Sequence, residues 1–272
     1  MKMKALLFAV CAVGALATLG QEGVPKKSPS DMTPEELAAR KQRIEKVLYE
    51  RTGGQIVKPG TMSGKVVFAN AQNRVAEAVI QKDAAFIAKA LKIQIDAVKG
   101  NPVGLTNADA ELERLGAQVG VFIVDDEKDP HALLLAPESR WAIVNVAPLA
   151  ADGATGEKLA GRLRKEIGRG FGLASGAFNS KFEWTILGPV TKARDLDRIP
   201  EYYLTADIQP RIMPYLAELG VRPYELKTYR RACVEGWAPD PTNDVQRAIM
   251  ESVRSEKERG PANGLKIVPP KK

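Results

Sequence analysis

The sequence predicts an α+β domain: a mixed five-stranded sheet with helices packed on it, and a glycine-rich helix directly after the last strand. Three observations carry this. Five short runs are apolar and rich in β-branched residues, with turn residues between them. Two longer segments repeat their apolar residues at helical spacing. Their order along the chain is strand, helix, four strands, helix, with one short helix inserted among the strands.

Taken in order, the chain opens with Lys2 and Lys4 before an apolar run from Ala5 to Leu16, too short to span a bilayer. Ala15-Leu16-Ala17 offers a small-residue cleavage site, with Gly20 as a second point. Residues 1–20 are therefore expected to be a Sec signal peptide, which would make the mature chain periplasmic or secreted. No later segment is long and apolar enough to span a membrane. Residues 21–60 read as a linker followed by a helix. Thr33 is placed to cap it, Pro34 to open it, Glu36 to close a capping box, and Gly53-Gly54 to end it. Leu37, Ile44, Val47 and Leu48 form its apolar stripe, expected to pack on the domain or on a partner.

The main domain is expected over 61–223. Residues 65–69 read as a strand, and 72–91 as an amphipathic helix through Val75, Val79, Phe86 and Ile87. Residues 92–98 alternate as a strand, 107–115 form the inserted helix, and 118–124 are strongly apolar and β-branched. Residues 132–136 and 141–146 are two more strands joined by a turn at Pro137-Glu138-Ser139-Arg140. The last helix runs from about 156 to 172, capped by Thr155 and with Leu159, Leu163 and Ile167 as its buried stripe. Residues 224–272 are expected to be an extension: a helix over 244–258 with Val245, Ile249 and Val253 inward, then an extended end.

Composition bounds the function. Lys and Arg number 40 against 33 Asp and Glu. The excess is spread along the chain. Clusters such as Arg162-Leu163-Arg164-Lys165 and Arg230-Arg231 read as solvated or salt-bridged faces, and no aromatic-interleaved motif suggests a nucleic-acid partner. Cys11 falls in the expected signal peptide. That leaves Cys233 alone in the mature chain and no internal disulfide, so it is expected to be a buried thiol.

Residues 165–173 carry the chemistry: Lys165-Glu166-Ile167-Gly168-Arg169-Gly170-Phe171-Gly172-Leu173. With histidine at 165 and 169 this would be H-E-x-x-H-x-x-G, in which two imidazoles one turn apart hold zinc and the glutamate acts on the zinc-bound water. Here both ligand positions are cationic. Arginine has no lone pair to give, and a protonated lysine repels a divalent ion. The third ligand of longer versions, three residues after the glycine, falls at Ser175. Lys165 and Arg169 lie off the buried stripe and are expected to face a cleft. A phosphate-binding loop is discounted, because Gly168, Gly170 and Gly172 close a helix and do not open one.

On these residues, and on the strand order before them, residues 64–220 resemble a metzincin-type zincin of the archaemetzincin kind. The resemblance implies a zincin-like sheet followed by a degenerate active-site helix. It would set the family's methionine turn near Thr185-Ile186-Leu187, where this chain has Leu187, and the C-terminal helix over 195–219. The family's second, cysteine-rich zinc site would match 203–207, which has no cysteine. No zinc and no other cofactor are therefore expected. Glu166 remains from the motif and is expected to pair with Arg162 or Arg169 at helical spacing.

The leading expectation is an exported non-catalytic pseudopeptidase that holds a peptide or protein segment against the 132–136 edge strand. The candidate cleft residues are Lys165, Glu166, Arg169 and Ser175, with the two cations favouring an acidic group. The alternatives are a hydrolase with a rearranged site on Glu166, His131 or Ser175, and a structural envelope protein whose cleft is filled. His131, the only histidine, follows the acidic turn Asp125-Asp126-Glu127 and reads as a surface residue.

Overall fold

The computed structural model describes residues 28–136, 138–200 and 208–259. The expected signal peptide, Pro137 of the expected turn, the 203–207 segment and the extended end lie outside these residues. In chain order the elements are α1 (Pro34–Thr52), β1 (Gln55–Val57), β2 (Val66–Asn70), α2 (Glu77–Leu91), β3 (Ile95–Lys99), α3 (Ala108–Arg114), β4 (Val119–Val124), β5 (Leu133–Leu134), β6 (Trp141–Asn145), α4 (Val146–Leu149), α5 (Gly156–Ala174), α6 (Gln209–Glu218), β7 (Leu226–Thr228), α7 (Tyr229–Glu235) and α8 (Asp244–Arg259).

The main sheet has the order β3-β2-β4-β6-β5. Its first four strands are parallel, and β5 runs antiparallel to β6 at the edge. This is the mixed five-stranded sheet of an α+β fold. Every residue of β2, β4 and β6 is buried, which is what helices on both faces of a parallel sheet require. Val66, Phe68, Val121, Ile123 and Val144 face α2 and α5. Val67, Phe122, Trp141 and Ile143 face the side covered by α3.

The expected helix forms as α5, with Leu159, Leu163 and Ile167 buried and Phe171 added to the stripe, although the short α4 stands between it and β6. Phe171 meets Phe68 edge-on, with ring centroids 6.1 Å apart. A Cβ on Gly170 would lie 3.0 Å from Ala142 Cβ and 3.1 Å from Leu133 Cδ1, so this glycine brings α5 close under β5 and β6. Thr155 stands at the cap position without a side-chain hydrogen bond.

Several local expectations change. The helix expected from residue 72 begins at Glu77, because the Gln72 side chain bonds the backbone of Val75 and holds that segment as a turn. The helix expected over 195–219 divides into a 3-10 turn, Ala193–Arg198, and α6. The capping box at Thr33 and Glu36 is present, and Gly53 ends α1 in the left-handed conformation. Yet Leu37, Ile44, Val47 and Leu48 are exposed. The main contacts of α1 are with α7 and α8. The sequence reading missed the two-stranded sheet in which β1 pairs antiparallel with β7. It joins the segment before the main sheet to the extension after it. There Tyr229, Cys233, Ile249 and Val253 bury a small second core, and burial pushes the Cys233 thiol up from its usual pKa.

No described helix is long and apolar enough to cross a membrane.

Candidate functional site

The site lies where α5 passes beneath the open edge of the sheet. A cavity of about 730 Å³ is bounded on one side by β5 and its approach, including His131 and Leu133. Its other walls come from Glu166, Arg169 and Leu173 of α5 and from the 190–194 segment, with Asp152 between them.

The edge strand is open to a further strand. Asn145 N donates to Ala132 O at 2.9 Å, and the register sets Leu133 opposite Val144. Antiparallel pairs alternate between bonded and non-bonded. The N–H and C=O of Leu133 therefore turn away from β6, toward the free edge.

The wall opposite is held by Arg162, whose side chain is fully buried. Nε and Nη2 reach both oxygens of Asp197 at 2.8 and 2.7 Å, Nη1 and Nη2 reach both oxygens of Asp152 at 2.7 and 2.9 Å, and Nη1 also reaches Leu149 O at 2.8 Å. All five guanidinium donors are thus used. The Arg162 hydrogen bonds hold both aspartates below the usual carboxylate range. The basic cluster at 162–165 is therefore salt-bridged, but its first residue is inside the fold.

The four candidate residues separate. Glu166 is 1 % exposed and lines the cavity, and its partner is Arg169, not Arg162, with Nη1 3.3 Å from Oε1. Burial raises the Glu166 pKa above its ordinary value, and the nearby Arg169 opposes that shift without cancelling it. Lys165 does not line the cavity. Its ammonium donates to Leu196 O at 2.9 Å. Ser175, at the C-terminal end of α5, is fully buried, and its Oγ has no hydrogen-bond partner. His131 is exposed, with Nδ1 2.8 Å from Asp129 Oδ1, and it shares the cavity with Glu166. Sequence reasoning missed Asp152, Lys192 and Arg194. No motif marks them, and only folding of the 190–198 segment onto α5 brings them in.

Zinc does not fit these residues. The two positions one helical turn apart carry an ammonium donating to a carbonyl and a guanidinium donating to Glu166. Neither offers a lone pair. Among the described residues, no group of three or more His, Cys, Asp or Glu is arranged to hold a metal ion.

No family model and no curated protein sequence matches the chain. Solved structures do. An archaemetzincin from Methanopyrus kandleri is 14 % identical, with a TM-score of 0.44, over 60 % of this chain and 99 % of that one. A zinc-dependent peptidase from Methanocorpusculum labreanum is 14 % identical, with a TM-score of 0.42, over 55 % and 100 %. An archaemetzincin from Archaeoglobus fulgidus complexed with malonate is 15 % identical, with a TM-score of 0.37, over 54 % and 99 %.

Proposed function

We propose that this chain is an exported, non-catalytic relative of the archaemetzincins that binds an extended peptide or protein segment in the cavity beside β5. One observation carries the reading: an open edge strand, with the Leu133 backbone groups turned outward, borders a cavity of about 730 Å³ floored by the Glu166–Arg169 pair. A peptide laid along that edge gains main-chain hydrogen bonds from the strand and side-chain contacts from the cavity. A cleft filled by side chains would instead have favoured a purely structural role. Export rests on residues 2–20 of the sequence alone. Because Lys165 is engaged by Leu196, Arg169 replaces the expected cationic pair as the binding group.

A hydrolase with a rearranged site is the second reading. It draws on the buried Glu166 carboxyl with its raised pKa and on His131 in the same cavity. The two readings part on the fate of the peptide. The full chain should bind fluorescent extended peptides and return them intact. Leu133→Pro, which removes one outward N–H and no bond to β6, should abolish binding. Cleavage lost in Glu166→Gln would establish the second reading instead.

A further inference from the structure

The Glu166–Arg169 pair is incompletely matched. Charged N–H to carboxylate bonds ordinarily close to about 2.7–2.9 Å, whereas here Nη1 stands 3.3 Å from Oε1. Glu166 Oε2 and Arg169 Nε are both buried, and neither has a hydrogen-bond partner. Buried polar atoms are nearly always paired. An acceptor and a donor therefore stand unmatched on two residues one helical turn apart, both lining the cavity.

The pair also balances its own charge. One cation and one anion share the floor, so an acidic ligand group would bring a second carboxylate up to Glu166. The exposed cations at the rim do little to offset this. Arg194 already leans on Asp152 at 3.2 Å, and Lys192 is open to solvent, where screening weakens its pull. An apolar group would leave both unmatched atoms as they are.

A primary carboxamide meets both needs at once. Its planar end carries an acceptor oxygen beside an NH2 donor. A backbone peptide group does not, because the trans geometry points its N–H and C=O in opposite directions. We propose that this floor selects a Gln or Asn side chain of the bound peptide, its oxygen accepting from Arg169 and its NH2 donating to Glu166 Oε2, over an acidic or apolar side chain at the same place. This rests on the peptide-binding reading and gives it a specificity.

The test uses the full chain and fluorescent heptapeptides of alternating Thr and Val. The central residue is Gln, Asn, Glu or Leu, and the C-terminus is capped as a dimethylamide so that it offers no primary amide. Binding is read by fluorescence anisotropy. The Gln or Asn peptide should bind at least about tenfold more tightly than the Glu and Leu peptides, the scale expected when a buried polar group is left unpaired. Glu166→Gln puts a donor beside the acceptor and should erase the preference. Arg169→Met should erase it by removing the donor. Thermal melts of both variants establish that they are folded. Equal affinity for all four peptides, or preference for Glu, overturns the selectivity and leaves peptide binding standing. Failure of every peptide to bind overturns the peptide-binding reading as well.

Discussion

Arg162 holds Asp152 through two parallel hydrogen bonds of 2.7 and 2.9 Å, and Asp152 forms part of the cavity wall. The same guanidinium grips Asp197, so one buried side chain ties α5 to the segment before it and the segment after it. Removing one partner of a buried ion pair leaves the other charges uncompensated. Arg162→Met should lower the stability of the fold by about 3–5 kcal/mol. Urea denaturation should show this as a lower midpoint with an unchanged slope. Arg162→Lys should recover little, because a lysine cannot serve two carboxylates with a planar fork.

The same pairs set an acid limit. Asp152 and Asp197 have folded pKa values held below their ordinary range by the hydrogen bonds from Arg162. A depressed carboxyl contributes stability that is fully present above its unfolded pKa, near 4, and that is lost as pH falls through the folded value. Asp197 is more than one-third exposed, so Asp152 carries the larger share. Thermal melts from pH 6 down to pH 2 should fall steeply below pH 4 in the wild type. In Arg162→Met they should fall less, since the differential protonation is gone.

Glu166 has the opposite sign. Its pKa is raised by burial, so its protonated form suits the fold, and the favourable contribution is lost as pH rises through the folded value. Glu166→Gln should therefore gain on the wild type as pH is raised above the ordinary carboxylate range. The comparison is the pH slope of the difference in melting temperature. A flat difference would mean that Glu166 titrates as it does in the unfolded chain.

Two glycines of α5 should respond in opposite directions to the same substitution. A Cβ at Gly161 meets nothing within 4 Å. Gly161→Ala should therefore stabilise the helix by about 0.5–1 kcal/mol. At Gly170 the new Cβ would press on Ala142 and Leu133 of the sheet. Overpacking there should outweigh the propensity gain, and Gly170→Ala should destabilise by about 1–2 kcal/mol. Because Leu133 belongs to β5, Gly170→Ala should also weaken peptide binding.

The sheet was legible in the sequence because its strands are short, apolar and separated by strong turn residues. Residues 118–124 and 141–146 read as strands on their own. The helix that carries Glu166 was legible from the stripe Leu159, Leu163, Ile167. The start of α2 moved through a single side chain, Gln72, which bonds back to Val75. The pairing of β1 with β7 joins residues some 170 positions apart and leaves no local trace. At the site, helical spacing offered both Arg162 and Arg169 as partners of Glu166, and the fold takes Arg169 because Arg162 is spent on Asp152 and Asp197. Spacing could not separate Lys165 from Glu166 and Arg169, because Leu196, the carbonyl that takes the lysine away, arrives from a distant turn. Asp152 and Asp197 likewise gain meaning only around Arg162.

The most direct measurement of the central claim is to incubate the full chain with a library of extended peptides, recover what it retains, and determine by mass spectrometry whether those peptides are whole. The account predicts retention of intact peptides, lost in Arg169→Glu and in Leu133→Pro. Either no retention by the folded wild type, or cleaved peptides whose appearance requires Glu166, would contradict it.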